Sequence, residues 1–351
     1  MFKKNIAVIF GGCSSEYEVS LQSASSILKV LEEMGEYNII RIGITREGVW
    51  YRYLGPLSEI EADTWKDKEQ YLNAALISPD RSLKGIIEFT KNGIKTTKLH
   101  GAFPVLHGKN GEDGTVQGLI ELAGIPLIGC DTESSALCMD KDKAHRLVKE
   151  AGVLVPKAVL LNGTEEEELI LKKVRDMSYP VFVKPVKAGS SFGITKVYKE
   201  EELIPAIKEA FHHDREVLIE ENISGFEVGC AVMGKDKLII GEVDEIELTE
   251  GFFDYTEKYT LKSSAIHMPA RIDEESVKRI KESAALIYRT LGCKGFARVD
   301  MFFTEKKEIV FNEVNTIPGF TSHSRYPGMM KGIGLSYADI LSRLITEELM
   351  G

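Results

Sequence analysis

Residues 295–324, GFARVDMFFTEKKEIVFNEVNTIPGFTSHS, decide how the chain is read. In a strand, Arg298, Asp300 and Phe302 fall on one face, while Ala297, Val299, Met301 and Phe303 line the other. Glu313 and Asn315 share a face of the next strand by the same alternation. A hairpin with the four-residue loop Glu305 to Glu308 pairs Thr304 with Ile309, which sets Asp300 opposite Glu313 and Arg298 opposite Asn315. Two carboxylates facing each other with Cβ atoms roughly 4.5 to 5.5 Å apart repel unless a cation lies between them. Hard oxygen donors of this kind suit Mg²⁺, which takes one or two protein carboxylates and fills its shell with phosphate and water. The competing reading is a surface hairpin whose charges pair with Lys or Arg, and a register slipped by one residue undoes the carboxylate pair.

Working outward, residues 181–197, VFVKPVKAGSSFGITKV, read as a buried strand ending in Lys184, a Gly-Ser-Ser-Phe-Gly loop and another strand. Backbone N–H groups of small residues can close over phosphate oxygens, and Lys184 adds a point charge. The segment is not a P-loop, because G-x-x-x-x-G-K-[ST] is absent and a strand follows the glycines. Alone it is equally a hairpin with no ligand; beside a cation-binding pair it favours ATP.

At the N-terminus, Ile6, Val8 and Phe10 lead into Gly11-Gly12, and Ser15 to Glu18 has the S-x-x-E form of a capping box before a helix. Glu16 in that first turn is either a capping group or a carboxylate that receives a substrate ammonium. Residues 39–98 read as a β-rich elaboration (IIRIGIT, WYRYL, GIIEFT, IKTTKL), after which AFPVLHG, TVQGLIELAG and IPLIGC restore α/β alternation as far as Gly129. His107, in the glycine-rich loop LHGKNGEDGT, is either structural or functional. One helix is expected over 134–151 with Met139-Asp140-Lys141 on a solvated face, and Thr164 is expected to cap a helix opening with Glu165 to Glu168. YPVFVKP, ITKVY and EVLIEE read as strands of a second unit. FEVGCAVMG and KLIIGEVDEIEL open a third, in which Asp273 caps a helix with apolar Val277, Ile280, Ala284, Ile287 and Leu291. The fold class is α/β (α+β) in three domains: residues 1–129, 130–220 and 221–351.

Composition bounds the function. The 351 residues carry a formal net charge of −10, which argues against a nucleic-acid partner but leaves room for a nucleotide site. The five cysteines are widely spaced with no C-x-x-C pair, as in a reduced protein. No signal peptide and no apolar run of membrane-spanning length is present, so no membrane partner and a cytoplasmic location are expected. A dinucleotide dehydrogenase would carry G-x-G-x-x-G where this chain has only Gly11-Gly12. A non-catalytic ATP-binding module could keep the fold, but the full set Arg298, Asp300, Glu313 and Asn315 favours an enzyme.

Eight segments in order, GGCSSEYEVS, LHGKNGEDGTVQG, SSALCMDK, VFVKPVKAGSSFG, LIEENISGFEVG, FFDYTEKY, GFARVDMF and NEVNTIPGFTSHS, resemble the D-alanine-D-alanine ligases, an ATP-grasp family. FPVLHGKNGEDG with EVNTIPGFTSHSRYP is similar to the VanG-type branch, the D-alanine-D-serine ligases of vancomycin resistance. The resemblance implies a three-domain ATP-grasp fold with an N-terminal Rossmann-like pre-ATP-grasp domain. It also implies ATP, two Mg²⁺ ions with Mn²⁺ as a substitute, the substrates D-alanine and D-serine, a homodimer and a role in peptidoglycan precursors. A D-alanine-D-alanine ligase of housekeeping wall synthesis is the alternative.

By the same resemblance, Lys141 and Lys184 contact ATP phosphates under Ser190 and Ser191. Glu220, Glu221, Asn222 and Ile223 run along the adenine, and Glu227 holds the ribose. Asp300, Glu313 and Asn315 bind the metal ions. Glu16 anchors the ammonium of the first D-alanine, His107 lies near its carboxylate, and Arg298 with the Gly319 N–H meets the oxyanion. Ser190, Tyr259 and Ser324 join Glu16 in the catalytic set. Lys258, which also binds ATP, and Tyr259 ride a closing loop that Gly251-Phe252-Phe253 opens, and Tyr259 resembles the amine-using ligases where D-lactate ligases tend to carry His. Arg325 stands where the family usually has an aliphatic residue; with Asp244 orienting it, it is expected to select D-serine, unless it turns outward.

Overall fold

The computed structural model describes residues 3–189, 192–248 and 264–350. Seven strands build the first sheet: β1 (Asn5–Gly11), β2 (Asn38–Ile44), β3 (Trp50–Tyr53), β4 (Leu72–Ile77), β5 (Gly85–Thr90), β6 (Gly93–Lys98) and β7 (Gly101–Pro104), in the order β6-β5-β4-β3-β2-β1-β7. β1 pairs in parallel with β2 and β7, and its residues Ile6 to Gly11 are all buried, as a strand covered on both faces must be. β3 to β6 extend the sheet as an antiparallel meander. LNAALI (β4) is a strand that the sequence pattern did not single out. IPLIGC, read as strand-like, contributes only an isolated bridge from Leu127 to Ala102.

The second sheet holds β8 (Ala158–Leu161), β9 (Val181–Pro185), β10 (Thr195–Val197) and β11 (Val217–Glu221) in the order β10-β9-β11-β8. Its apolar side is filled by the helices Glu167–Val174 and Glu200–Ala210. The third sheet holds β12 (Phe226–Met233), β13 (Ile239–Leu248), β14 (Ser264–His267), β15 (Phe296–Phe303) and β16 (Ile309–Asn315) in the order β14-β13-β12-β15-β16, antiparallel throughout. The helix Glu274–Thr290 covers it, and Asp273 caps that helix as expected, its side chain accepting from Ser276 N at 2.9 Å.

Several local expectations are corrected. The helix of 134–151 is two helices, Thr132–Met139 and Lys141–Glu150, because Asp140 takes extended backbone (φ −87°, ψ 96°) and its carboxylate caps the second by accepting from Lys143 N. Both pack against β16 rather than the second sheet. The capping box at Ser15 does not form: Ser14 Oγ accepts from Glu16 N and donates to the His107 carbonyl at 2.7 Å, so the turn after β1 is tied to the loop after β7. The acidic helix begins at Glu167 without a side-chain cap, and Thr164 Oγ1 donates to the Asn162 side chain instead.

The decisive hairpin keeps its pairing by a different route. Phe303 pairs with Ile309, so the loop is one residue longer than expected, and a bulge at Asn312 absorbs the difference. Asp300 therefore faces Glu313 and Arg298 faces Asn315, as the alternation requires. The C-terminal helix Tyr337–Met350 returns to the first sheet, packing on the helix Tyr17–Met34 and on β7. Among the described residues no helix is long and apolar enough to cross a membrane.

Candidate active site

A cavity of about 560 Å³ opens between the second and third sheets. β9 and β10 contribute Phe182, Lys184 and Lys196; β11 and the following turn contribute Glu220, Glu221, Asn222 and Ile223; Glu227 of β12 and Glu313 of β16 close the far side. Lys184 Nζ donates to Glu220 Oε2, and both side chains are buried. Burial works against the Glu220 charge, but Lys184 and then His145 outweigh it and hold the carboxyl below its ordinary value. Glu220 thus serves Lys184 with its carboxylate, while Glu221 Oε1 accepts from Lys157 N at 2.8 Å.

A second, small cavity of about 30 Å³ shares Lys141 and Glu313 with the large one and adds Glu112, Gly189 and Asn315. Lys141, first residue of its helix, donates to the Ala188 carbonyl at 2.8 Å and lies 4.0 Å from Glu313 Oε2. The helix break at Asp140 therefore aims Lys141 at the glycine-rich loop and the carboxylate strand together. Glu16 reaches the same point: a Cβ at Gly108 would fall 2.4 Å from its Oε2, and one at Gly189 2.7 Å, so both glycines leave space that this carboxylate fills.

On the third sheet, Arg298 grips Asp300 through Nε at 2.8 Å and Nη2 at 2.6 Å, and Asn315 Nδ2 donates to Asp300 Oδ2 at 2.9 Å. Burial opposes the Arg298 charge, but Asp300 outweighs it and raises the guanidinium above its ordinary value. Arg325 turns inward: Nε and Nη2 form a bidentate pair with Asp244 at 2.7 and 2.8 Å, Nη1 donates to Glu227 at 3.0 Å, and Nη2 lies 3.5 Å from Asp300. Asp244 is wholly buried and also accepts from Gly229 N. Ser324 precedes the helix Arg325–Gly332 and its Oγ accepts from Thr321 N at 3.0 Å; a Cβ at Gly319 would sit 3.1 Å from that Oγ.

His107 is buried, with Nε2 3.2 Å from Ser23 Oγ. Burial pushes its pKa down to about 4, so the imidazole is neutral at pH 7. A substrate carboxylate near it would meet a dipole and not a cation.

Glu112 was not singled out from the sequence. Its Oε2 accepts from Gly108 N at 2.8 Å and its Oε1 from Ile317 N at 3.0 Å, which clamps the His107 loop to the loop carrying Gly319 and Ser324. Burial, then Glu16, raises its pKa to about 8. The signal available was its place in GKNGEDG beside His107, where it reads as one more polar loop residue. Ser190, Ser191, Lys258, Tyr259 and the Gly251-Phe252-Phe253 opening lie outside the described residues.

The donor chemistry fits a hard divalent cation. Among the described residues no three His, Cys, Asp or Glu side chains form a metal cluster by themselves. Glu313 and Asn315 line the small cavity, and Asp300, buried and held by Arg298, faces Glu313 in register; together they hold two carboxylates and one amide oxygen, the partial set that Mg²⁺ takes when phosphates and water complete its shell.

Two sheets close on a cleft that one lines with Lys184 and Lys196 and the other with Glu227 and Glu313, and family matches and a structural neighbour make the chain a ligase of the ATP-grasp class. The family model described as D-ala D-ala ligase N-terminus matches residues 5–130 and the one described as D-ala D-ala ligase C-terminus matches residues 147–346, so the chain belongs to the D-alanine-D-alanine ligase family. The vancomycin B-type resistance protein VanB of Enterococcus faecalis is 47% identical, covering 99% of this chain and 98% of that one. A D-alanine--D-alanine ligase of Caldicellulosiruptor bescii is 42% identical, covering 99% and 95%. The crystal structure of the VanG D-Ala:D-Ser ligase from Enterococcus faecalis superposes with a TM-score of 0.92 at 60% identity, over 99% of this chain and 100% of that one. The family uses ATP and Mg²⁺ generally.

Proposed function

We propose that this ligase joins D-alanine to D-serine. The observation that carries the reading is Arg325, inward and locked in a bidentate pair with Asp244, where an aliphatic residue is usual for the family. Similarity to a D-Ala:D-Ser ligase supports it. Burial opposes the Arg325 charge, but Asp244, Asp300 and Glu227 outweigh it and keep the guanidinium cationic; in this reading its donor fork faces the acceptor amino acid. An apolar pocket rejects an extra hydroxyl only weakly, whereas a site built to hydrogen-bond one can discriminate by up to roughly 10⁴ to 10⁵.

The chemistry follows from need. A carboxylate is a poor acyl donor, so ATP transfers its γ-phosphoryl group to D-alanine, ADP leaves, and the acyl phosphate is attacked by the D-serine amine with loss of phosphate. Lys141 and Lys184 hold the phosphates and offset their charge. Bound at Asp300, Glu313 and Asn315, Mg²⁺ supplies charge neutralisation on the phosphoryl oxygens. Glu16 receives the D-alanine ammonium, neutral His107 orients its carboxylate, and Arg298 with the Gly319 N–H meets the oxyanion. Two Mg²⁺ ions, Mn²⁺ as a substitute, a homodimer, a cytoplasmic site of action and a product used in wall precursors of vancomycin resistance belong to the same proposal.

ADP release is measured with D-alanine alone and with D-alanine plus D-serine, and the dipeptides are identified. Faster release with D-serine and D-alanyl-D-serine as main product is expected. D-alanyl-D-alanine as main product in the mixture overturns the acceptor assignment, and no ATP turnover in either case overturns the ligase reading.

A further inference from the structure

His145 lies one helical turn after Lys141, on the same face of the helix Lys141–Glu150, and is buried beneath the large cleft. Its Nε2 is 2.8 Å from the Asn312 carbonyl, the bulged residue that sets Glu313 opposite Asp300. A carbonyl only accepts, so Nε2 carries a hydrogen. On the other side of the ring, Nδ1 stands 3.6 Å from Glu220 Oε1. These two atoms are buried and neither has a hydrogen-bond partner among the described residues. Buried polar atoms left in that state are costly, and because the Glu220 carboxylate only accepts, these two can bond once Nδ1 also carries a hydrogen. The other oxygen of Glu220 holds Lys184.

We propose that His145 is a positioning residue that completes this bond when nucleotide fills the cleft, tying the Lys184–Glu220 pair of the second sheet to the Asn312 bulge of the third. With a proton taken up from solvent on Nδ1, so that the ring is an imidazolium with a hydrogen on each nitrogen, a shift of less than about 1 Å brings Nδ1 and Oε1 to charge-assisted hydrogen-bond distance. The helix that carries Lys141 then fixes both lysines and the Glu313 strand with one ring. This inference rests on the cleft being the nucleotide site.

The test is calorimetric titration of ATP into the full chain and into His145→Phe and His145→Gln, each with and without Mg²⁺. Loss of buried hydrogen bonds at this site weakens ATP binding by His145→Phe roughly tenfold. The loss is expected to be larger with Mg²⁺ than without, because the ring also holds the carboxylate strand, while the KM for D-alanine changes less than twofold. His145→Gln, which keeps a donor for Asn312, is expected to regain part of the Mg²⁺-dependent share. Should His145→Phe fail to fold, the smaller loss in His145→Gln is read by the same comparison. ATP affinity within twofold of the unaltered chain in every folded variant overturns the proposal, as does an equal loss for ATP and D-alanine. Failure of the unaltered chain to bind ATP overturns instead the assignment of the cleft.

Discussion

His107 and Arg325 show what single residues contribute beyond their type. His107 has its pKa pushed down to about 4 by burial, against an ordinary value of 6.5. A folded-state pKa below the unfolded one means that its stabilising share is present above pH 6.5 and is lost as pH falls through 4. Thermal melts from pH 7.5 to 4 should show the unaltered chain losing stability relative to His107→Gln across that window; a gap independent of pH contradicts the buried neutral ring. Arg325 touches three carboxylates, and Arg325→Leu strands Asp244 without its counter-ion, at about 3 to 5 kcal/mol of stability. On the protein that still folds, the D-alanyl-D-serine share of the product should drop in favour of D-alanyl-D-alanine. An unchanged ratio means that Arg325 does not choose the acceptor. Alternation placed Asp300 and Glu313 because strand period is a local property. Nothing local in the sequence indicates that Glu112 bonds two backbone N–H groups 209 residues apart in sequence, at Gly108 and Ile317.

Elements were legible where periodicity was strong and misread where one residue redirected the chain. Asp140 read as part of a solvated helical face, yet its carboxylate breaks one helix and begins another, and it pairs with Lys143 and Lys187. Removing the cap by Asp140→Ala should cost about 1 kcal/mol of stability. Because Lys141 is the first residue of the capped helix, the KM for ATP should also rise several-fold in steady-state assays. A stability loss with no change in that KM would separate the cap from the lysine it aims. The β15–β16 hairpin is the opposite case, since the loop was one residue longer than the pattern required and the bulge at Asn312 returned the side chains to their faces. Side-chain alternation constrains which groups must meet, and it does not say where the backbone absorbs the slack.

At the scale of the molecule, the site is a junction. The loop before Arg325 is held by the first sheet's surroundings, through Ser23 Oγ at Phe320 N and Glu112 at Ile317 N, while β15 and β16 present the carboxylates from behind. The C-terminal helix reaches back to the helix Tyr17–Met34, so both chain ends pack in one core. These returns were not legible in sequence, because the helices Thr132–Met139, Lys141–Glu150 and Tyr337–Met350 bury apolar faces that identify no particular partner. Their effect is to bring Glu112, Lys141 and Glu313 around one small cavity, with Glu16 against Gly189 at its edge, inside a chain whose net charge is −10. Among the acidic residues there, Glu112 clamps two loops through backbone N–H groups. The most direct measurement of the central claim is a competition: the unaltered chain with ATP, Mg²⁺ and equal concentrations of D-alanine and D-serine, its dipeptides quantified by mass spectrometry. D-alanyl-D-serine in excess over D-alanyl-D-alanine is the predicted result, and D-alanyl-D-alanine in excess would contradict it.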